Sequence, residues 1–375
     1  MKAIVSVIND LSTDQRVDKV CGSLHEIGYE VVLVGRRRRS SIRLDARSYA
    51  TVRMFLLFER GPLFYLFFQL RLFLYLLFHR ADVLVSNDLD TLLPNFLASR
   101  LKGCPLVYDT HELFCEVPEL QTSPLKRSIW KSIERFIFPK LKYVFTVNDS
   151  IAKIYSEEYR VPVHVLRNVP RKKNVSDTGG YKTAAELGLP STKKIILLQG
   201  AGINIQRGAE EALEAMQYLD QAVLLIIGSG DVIPRLKQMS RELRLEGKVL
   251  FIGRLPFQEL RLYTHLADLG LSLDKDSNLN YRYSLPNKIF DYIQAGVPVF
   301  VSNLPEIRKI VEQYGVGVIS PDHNPRNMAT LMAEKLSDEA LMKVWKENTK
   351  LAAEKLCWEE EEKVLEEVYR NILEK

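Results

Sequence analysis

Short apolar runs alternate with amphipathic stretches along the first 170 residues of the chain. Seven runs rich in Val, Ile and Leu have the length of strands, at 3–8, 31–34, 52–55, 83–86, 106–108, 143–147 and 163–166. Apolar residues at helical spacing fill several of the intervals, as at 16–27, 92–101 and 128–138. This alternation predicts a parallel sheet covered by helices on both faces, because parallel strands need a crossover between them.

The pattern breaks at residues 167–182, which are rich in Pro, Gly and charge and predict a linker. Six further strand-like runs follow, at 194–198, 223–227, 249–252, 269–273, 299–301 and 316–319. The sequence therefore predicts an α/β protein of two doubly wound domains, residues 1–170 and 171–357. We expect the ligand site in a central cleft between them, beyond the carboxyl ends of the strands. The tail, 338–375, is predicted to be helical and strongly charged, with a solvated face opposite an apolar stripe.

An unusually apolar segment, residues 63–78, has 14 apolar residues among its 16. It is shorter than the roughly 20 residues of a bilayer span and contains Gln69 and Arg71, so it does not predict a transmembrane helix. Two interpretations stay open: a helix packed on the sheet, or a helix lying partly in a membrane interface. Four consecutive arginines, from Arg36 to Arg39, favour the second, because cations are attracted to an anionic leaflet.

Composition narrows the class of protein. The 375 residues are 46% hydrophobic and 26% charged, as in soluble globular proteins. Residues 1–170 hold 24 Lys and Arg against 18 Asp and Glu, so this half suits an anionic partner but is too weakly basic for a nucleic-acid binder. The four cysteines are too far apart in sequence for a zinc or redox motif. The first residues predict a strand rather than a signal peptide, which favours a cytoplasmic protein.

The most informative stretch is YRYSLPNKIFDYIQAGVPVFV, residues 281–301. It predicts a helix over 286–294, capped by Ser284 and followed by a strand. Free amides at the start of such a helix, together with Lys288, favour a phosphate, and Asp291 one turn further suits a ribose diol. A capped surface helix with an exposed lysine and aspartate is the alternative that the local pattern leaves open.

Three glycine turns follow strands in the same half of the chain. The first contains Gly202 but lacks the third glycine of the dinucleotide fingerprint, which leaves a tight turn and then Arg207, a residue suited to bind a diphosphate bidentately. The others contain Gly230 and the pair Arg254 and Leu255. Together the turns predict a nucleotide pocket at one rim of the domain. No P-loop motif is present, so a P-loop NTPase is disfavoured.

The order of these motifs resembles glycosyltransferase family 4, or group 1, whose members are retaining enzymes of the GT-B fold. The matching stretches are IIGSGD, FIGRLPFQEL and SLPNKIFDYIQAGVPVFVS in the second half, and INDLSTDQRV, YDTHELF and TVNDSI in the first. The resemblance implies two Rossmann-like domains facing a cleft, with the donor nucleotide sugar on 171–357 and the acceptor on 1–170. It also implies that a final helix, 358–375, packs back on the first domain.

The resemblance also assigns residues. It gives the donor diphosphate to Arg207, Lys288, Asn287 and Gly202, the ribose and base to Asp291, Gly230, Arg254 and Leu255, the catalytic site to His111 and Glu112, and an acceptor-side loop to Asp14 and Arg16. One departure stands out: the E-x7-E pattern of the family reads Tyr283-x7-Asp291 here, so its first carboxylate is absent. The identity of the donor sugar is therefore not inherited.

Asp88-Leu-Asp90 matches the DxD metal motif of other glycosyltransferases, but its place before a helix predicts that Asp90 or Asp88 caps that helix instead. We expect neither a metal nor another cofactor, since Arg207, Lys288 and the helix start would offset the charge of a leaving diphosphate.

The leading functional hypothesis is retaining transfer of a sugar from a UDP- or GDP-sugar to a glycan or lipid-linked acceptor, in cell-envelope polysaccharide biosynthesis. The protein would be cytoplasmic, with 63–78 and the four arginines offering contact to the inner face of the membrane. Two alternatives stay open. One is a nucleotide-sugar epimerase of the same fold, and the other is a non-catalytic nucleotide-sugar-binding partner of another transferase.

Overall fold

The computed structural model describes residues 1–12, 14–172 and 182–373. Most of the predicted linker, residues 173–181, lies outside the described residues, as does Thr13 of the predicted acceptor-side loop. The chain folds into two compact units, Met1–Asn168 with Glu359–Lys375, and Val169–Trp358.

Unit 1 is built on a parallel sheet of seven strands with the order β3-β2-β1-β4-β5-β6-β7. The strands are β1 (Lys2–Ser6), β2 (Glu30–Arg37), β3 (Ala50–Phe55), β4 (Val83–Asn87), β5 (Leu106–Thr110), β6 (Tyr143–Thr146) and β7 (His164–Val165). The helices are α1 (Gln15–Glu26), α2 (Gly61–Phe78), α3 (Leu89–Lys102), α4 (Pro118–Gln121), α5 (Pro124–Ile137) and α6 (Asp149–Tyr159). The strand order reverses between β1 and β4, which is where such sheets place ligands.

Unit 2 is built on a parallel sheet of six strands with the order β10-β9-β8-β11-β12-β13. The strands are β8 (Lys194–Gly200), β9 (Ala222–Gly228), β10 (Val249–Ile252), β11 (Leu269–Ser272), β12 (Val299–Ser302) and β13 (Gly317–Ser320). The helices are α7 (Ala209–Ala215), α8 (Ile233–Glu242), α9 (Phe257–Leu266), α10 (Leu279–Arg282), α11 (Asn287–Gln294), α12 (Pro305–Tyr314), α13 (Pro325–Ser337) and α14 (Glu339–Ala353). Its order reverses between β8 and β11.

Alternate residues of a central strand serve opposite faces of the unit 2 sheet. Ile196 and Leu198 of β8 join a cluster with the apolar side of α7 and α13, whereas Ile195 and Leu197 join a second cluster with α11 and α12. Because both faces are covered by helices, the strand is apolar at every position from Ile195 to Leu198, and this continuous run is what made it recognisable in the sequence.

The apolar segment 63–78 forms most of α2. A row four residues apart packs inward and is buried: Phe64, Phe68, Leu72 and Leu76. For this one side of α2, the structure therefore supports the first interpretation, a helix packed on the sheet. No helix among the described residues combines the length and the apolar character that crossing a bilayer requires.

The tail is helical and comprises two helices, α14 in unit 2 and α15 (Trp358–Leu373), which are separated at residues 354–357. From Glu359 onward, α15 belongs to unit 1. Glu361 of α15 accepts hydrogen bonds of 2.7 Å from the backbone N–H and from Nε of Arg167, and the ring of Tyr369 packs edge-on against Tyr29. A buried carboxylate and a buried ring therefore attach α15 to unit 1.

Candidate functional site

Two loops of unit 2 meet where the strand order reverses. The loop after β8 carries Gly208 with a φ of +71°, and a Cβ there would lie 2.4 Å from Leu273 O, just after β11. Only glycine permits this approach. The Lys275 N–H also donates to Gln206 O at 2.9 Å. The residues that follow β8 and β11 are thus held side by side.

Asp274 interacts electrostatically with both cations that the sequence singled out. It is fully buried, and its Oδ1 is 3.0 Å from Nη1 of Arg207, whose guanidinium stacks 4.6 Å from the ring centre of Tyr281. Burial lowers the pKa of Arg207, but Asp274 and Tyr281 outweigh it and raise the pKa. The guanidinium therefore stays charged.

Lys288 shares the field of the same carboxylate. Burial lowers the pKa of Lys288, Arg207 lowers it further, and Asp274 opposes both. Among the described residues, no hydrogen bond or ion pair holds the Lys288 ammonium. The structure thus brings Arg207 and Lys288 together around one negative charge, which leaves an excess of positive charge that an anion would neutralise.

The start of α11 adds backbone donors to these cations. The helix begins at Asn287, which is exposed, and has Pro286 at its cap position with no side-chain hydrogen bond. The predicted cap, Ser284, is wrong, because its hydroxyl donates to Tyr281 O at 2.9 Å instead. The first amides of the helix are therefore left for another acceptor. Asp291 lies one turn further along, half-exposed.

The other residues of unit 2 that were predicted to contact the nucleotide differ in their exposure to solvent. Gly202 is exposed, and a Cβ there would meet only Asn204 at 3.9 Å. Gly230 packs against the preceding turn, where a Cβ would lie 1.9 Å from Ile203 O, so this glycine serves a close approach of two backbones. Arg254 is exposed and Leu255 packs partly on the core. Both follow β10, at the edge of the sheet.

In unit 1, Asp88 follows β4 with a φ of 57°, a conformation that non-glycine residues rarely adopt. Its Oδ1 accepts from the His111 N–H at 2.8 Å, and its Oδ2 lies 3.1 Å from His111 Nδ1. No side-chain hydrogen bond caps α3, so the prediction that this aspartate acts as a cap is wrong. The carboxylate holds the histidine instead.

His111 lies between two carboxylates. Its Nε2 is 3.5 Å from Oδ2 of Asp109, opposite the contact with Asp88. Burial lowers the pKa of His111, but Asp88 and Asp109 outweigh it and raise the pKa well above the ordinary value. The two carboxylates therefore favour the protonated, cationic form of the ring. Its neighbour Glu112 is half-exposed, and its carbonyl accepts from the hydroxyls of Thr110 and Tyr155.

Arg16 does not have the place that the resemblance implied. It is only 2% exposed, and its Nε and Nη2 donate to the two oxygens of Asp109 at 3.0 and 2.6 Å while Nη1 donates to Leu166 O at 2.7 Å. A guanidinium with these partners cannot extend to an acceptor. Asp14 caps α1 by accepting from the Val17 N–H at 3.1 Å.

No group of three or more His, Cys, Asp or Glu side chains in residues 1–12, 14–172 and 182–373 is arranged to hold a metal ion.

The raised pKa of His111 predicts a pH-dependent stability of unit 1. A group whose pKa is higher in the folded state contributes its full stabilisation below the unfolded pKa, about 6.5, and loses it as pH rises through the folded value. We expect the difference in unfolding free energy between wild type and His111→Gln to shrink steadily above about pH 6.5. Urea unfolding of both proteins over a pH series measures it.

The matched control is His25→Gln, which removes an exposed imidazole from α1 and sets the baseline for that change. In Asp88→Asn, which keeps an acceptor but removes the charge, the loss is expected to begin at the same pH, near the unfolded pKa, and to end at a lower pH. A stability difference that does not change with pH would contradict this description of His111.

Comparison with known proteins now identifies the chain. The family model described as Glycosyl transferases group 1 matches residues 182–352, and that of Glycosyltransferase Family 4 matches residues 15–169. The chain belongs to the group 1 glycosyltransferases. The first match covers all six strands of the unit 2 sheet and the second covers β2 to β7 of the unit 1 sheet, so both units are recognised.

Individual relatives with low sequence identity support the same family. The amylovoran biosynthesis glycosyltransferase AmsK of Erwinia amylovora is 25% identical over 148 residues, 38% of this chain and only 36% of that relative's length. Among solved structures, a sucrose-phosphate synthase from Thermosynechococcus elongatus has a TM-score of 0.80 at 16% identity, over 100% of this chain and 99% of the other. Anabaena HepE, in complex with UDP and glucose, has a TM-score of 0.75 at 14% identity over 100% of both chains. These structures show the GT-B fold.

In this group 1 glycosyltransferase, sequence reasoning missed Asp274 and Tyr281 and misjudged Asp88. Each aspartate follows a strand next to the reversal of strand order, β11 for Asp274 and β4 for Asp88. A polar residue directly after such a strand is a signal that could have found both. Tyr281 had no comparable signal, since its role depends on lying under the Arg207 guanidinium.

Proposed function

We propose that the chain transfers a sugar from a nucleotide diphosphate sugar to a hydroxyl of a glycan or lipid-linked acceptor, with retention of anomeric configuration. The observation that carries the proposal is the convergence of Arg207 and Lys288 on the buried carboxylate of Asp274, beside the uncapped start of α11. A diphosphate supplies the negative charge that this arrangement lacks.

On the donor side, Arg207 and Lys288 would bind the diphosphate with the amide of Asn287, and Gly202 would let it approach the backbone. Asp291 would accept from the ribose hydroxyls, with Gly230, Arg254 and Leu255 bordering the base. The nucleotide is a UDP- or GDP-sugar. The similar fold of HepE, whose structures contain UDP and UDP-glucose, supports testing UDP-sugars first.

For the chemistry, the acceptor oxygen would bond to the anomeric carbon on the face from which the sugar–phosphate bond breaks. The acceptor proton would pass to the leaving diphosphate, whose charge Arg207 and Lys288 offset. Since His111 is held as a cation by two carboxylates, it would act on the donor sugar by its charge rather than as a base, with Glu112 shaping the loop. This scheme uses no metal, so we expect activity to persist in EDTA.

The setting follows from the same proposal. The relative AmsK is named for amylovoran biosynthesis, which supports a role in cell-envelope polysaccharide synthesis. We propose that the protein works in the cytoplasm, on an acceptor at the inner face of the membrane.

The test is nucleotide release from UDP-glucose, UDP-galactose and GDP-mannose by the full chain without acceptor, with NMR of the anomeric proton. We expect slow release of UDP or GDP and a sugar of unchanged configuration, and loss of the release in Lys288→Met. A sugar epimerised without nucleotide release would instead identify an epimerase. Tight binding of the nucleotide sugar with neither nucleotide release nor epimerisation would identify a non-catalytic partner. Either of these two alternative results would overturn the proposal.

A further inference from the structure

The outer side of α2 is apolar and exposed. Directly opposite the buried row, a second row four residues apart points away from the sheet: Leu66, Leu70, Leu74 and Phe78. Leu66 is 67% exposed and Phe78 is 78% exposed. A helix with apolar residues on all sides is ordinarily buried by protein or by lipid, and here only one side is covered by the chain's own core.

Two neighbouring helices extend this surface. The α3 helix packs beside α2, and α5 packs beside α3. Tyr65 of α2 also meets Trp130 of α5 edge-on, at 5.6 Å between ring centres. Each neighbour exposes large apolar side chains of its own, namely Leu97, Leu101, Leu125, Ile129 and Phe136. The three helices together form what we call the α2–α3–α5 face.

The charge of this face has one sign. Its helices contain only two acidic residues, Asp90 and Glu134, and these are 7% and 1% exposed. Among the described residues, no carboxylate pairs with any of five cations on these helices, Arg71, Arg100, Lys102, Lys126 and Arg135. The exposed apolar rows suit the acyl chains of a bilayer. The unpaired cations beside them, with no exposed carboxylate on these helices, suit anionic lipid headgroups.

In the arginine run from Arg36 to Arg39, Arg36 is partly buried and the other three are exposed. Arg36 is half-buried, with its guanidinium 4.7 Å from the ring centre of Phe64, and the backbone N–H of Arg39 donates to Glu59. Arg36 and Arg37 are the last residues of β2, and Arg38 and Arg39 follow it, so the run lies at the carboxyl edge of the sheet rather than on the helices. The cations that accompany the exposed apolar rows are therefore those of α2, α3 and α5 themselves.

We propose that the α2–α3–α5 face docks on the surface of an anionic lipid bilayer, with its exposed apolar rows in the interfacial region. The docking does not depend on the proposed sugar transfer, because none of the residues that form the face belongs to the candidate site. A protein partner would need a carboxylate-rich apolar surface of its own, whereas an anionic leaflet provides both features.

The test is flotation of the full chain with phosphatidylcholine vesicles, with or without about 30% phosphatidylglycerol. We expect binding only to the anionic vesicles, weakened by salt. The triple change Leu66→Gln, Leu70→Gln and Leu74→Gln is expected to lower partitioning on the order of tenfold or more. The pair Lys126→Glu and Arg135→Glu is expected to lower it roughly 25-fold or more, since each lost cation weakens partitioning about fivefold.

The matched control is Val344→Gln with Leu351→Gln, two exposed apolar residues of α14 in unit 2, which should bind vesicles as wild type does. Circular dichroism checks that each variant is folded. If the triple variant is unfolded, the vesicle binding of the Lys126→Glu and Arg135→Glu pair tests the proposal. Wild type that ignores anionic vesicles, or variants that bind as well as wild type, would overturn the proposal. A wild-type dimer that the triple change converts to a monomer, without vesicle binding, would assign the face to a second copy instead.

Discussion

Lys288→Met is expected to lower the affinity for a nucleoside diphosphate by about 10- to 100-fold, because a charge-assisted hydrogen bond to phosphate contributes roughly 1.5–3 kcal/mol. The same change should raise the unfolding free energy of the ligand-free chain by about 1 kcal/mol or more, because a desolvated ammonium is replaced by an apolar side chain. Calorimetric titration with UDP and GDP measures the first effect, and chemical unfolding the second.

The stability effect of this substitution has a defined pH dependence. Burial, aided by Arg207, lowers the pKa of Lys288, so the folded chain binds fewer protons than the unfolded chain between the two pKa values. Wild-type stability therefore rises with pH in this window, and the advantage of Lys288→Met should narrow as pH approaches about 10.4.

The matched control is Lys343→Met, which removes an exposed cation from α14 in the same unit and should leave nucleotide affinity unchanged. Unchanged affinity in Lys288→Met would remove this lysine from the donor site. A lower unfolding free energy in Lys288→Met would show that this lysine stabilises the ligand-free fold, and not that it is an uncompensated cation which binds an anion.

Arg16→Met is expected to lower the unfolding free energy by about 3–5 kcal/mol, because it leaves the buried carboxylate of Asp109 without its main partner. Both side chains of the pair are almost completely buried and joined by two hydrogen bonds. The double variant Arg16→Met with Asp109→Leu should recover most of the loss, since it removes both buried charges. Urea unfolding of the three proteins provides the measurement.

The control is Lys363→Met, which breaks an exposed pair with Glu360 on α15 and should cost less than about 1 kcal/mol. If Arg16 contacted an acceptor instead, its loss would leave stability nearly unchanged and would affect only transfer. A decrease below about 1 kcal/mol in Arg16→Met would therefore contradict the structural role.

Sequence reasoning placed every strand of both sheets within a few residues. It failed where the role of a side chain depended on which residue it contacts in the folded chain. The runs predicted at 249–252 and 83–86 correspond to β10 and β4, because strands covered on both faces are rich in apolar residues. The predicted caps Asp88 and Ser284 failed because either side chain can bond elsewhere, and the sequence contains no information about which donor is nearest. Arg16 failed similarly, because its partner Asp109 is 93 residues away.

The order and spacing of apolar runs by themselves determined two parallel α/β units, and the motifs between the runs determined the family. Local physics is sufficient there, since strand length, helical period and glycine turns depend on neighbours in sequence. Only the tertiary structure decided which charges meet: Asp274 with Arg207 and Lys288, and His111 between two carboxylates. Those contacts arise because the strand order brings distant loops to one edge of a sheet, where burial strengthens each charge's effect on the others.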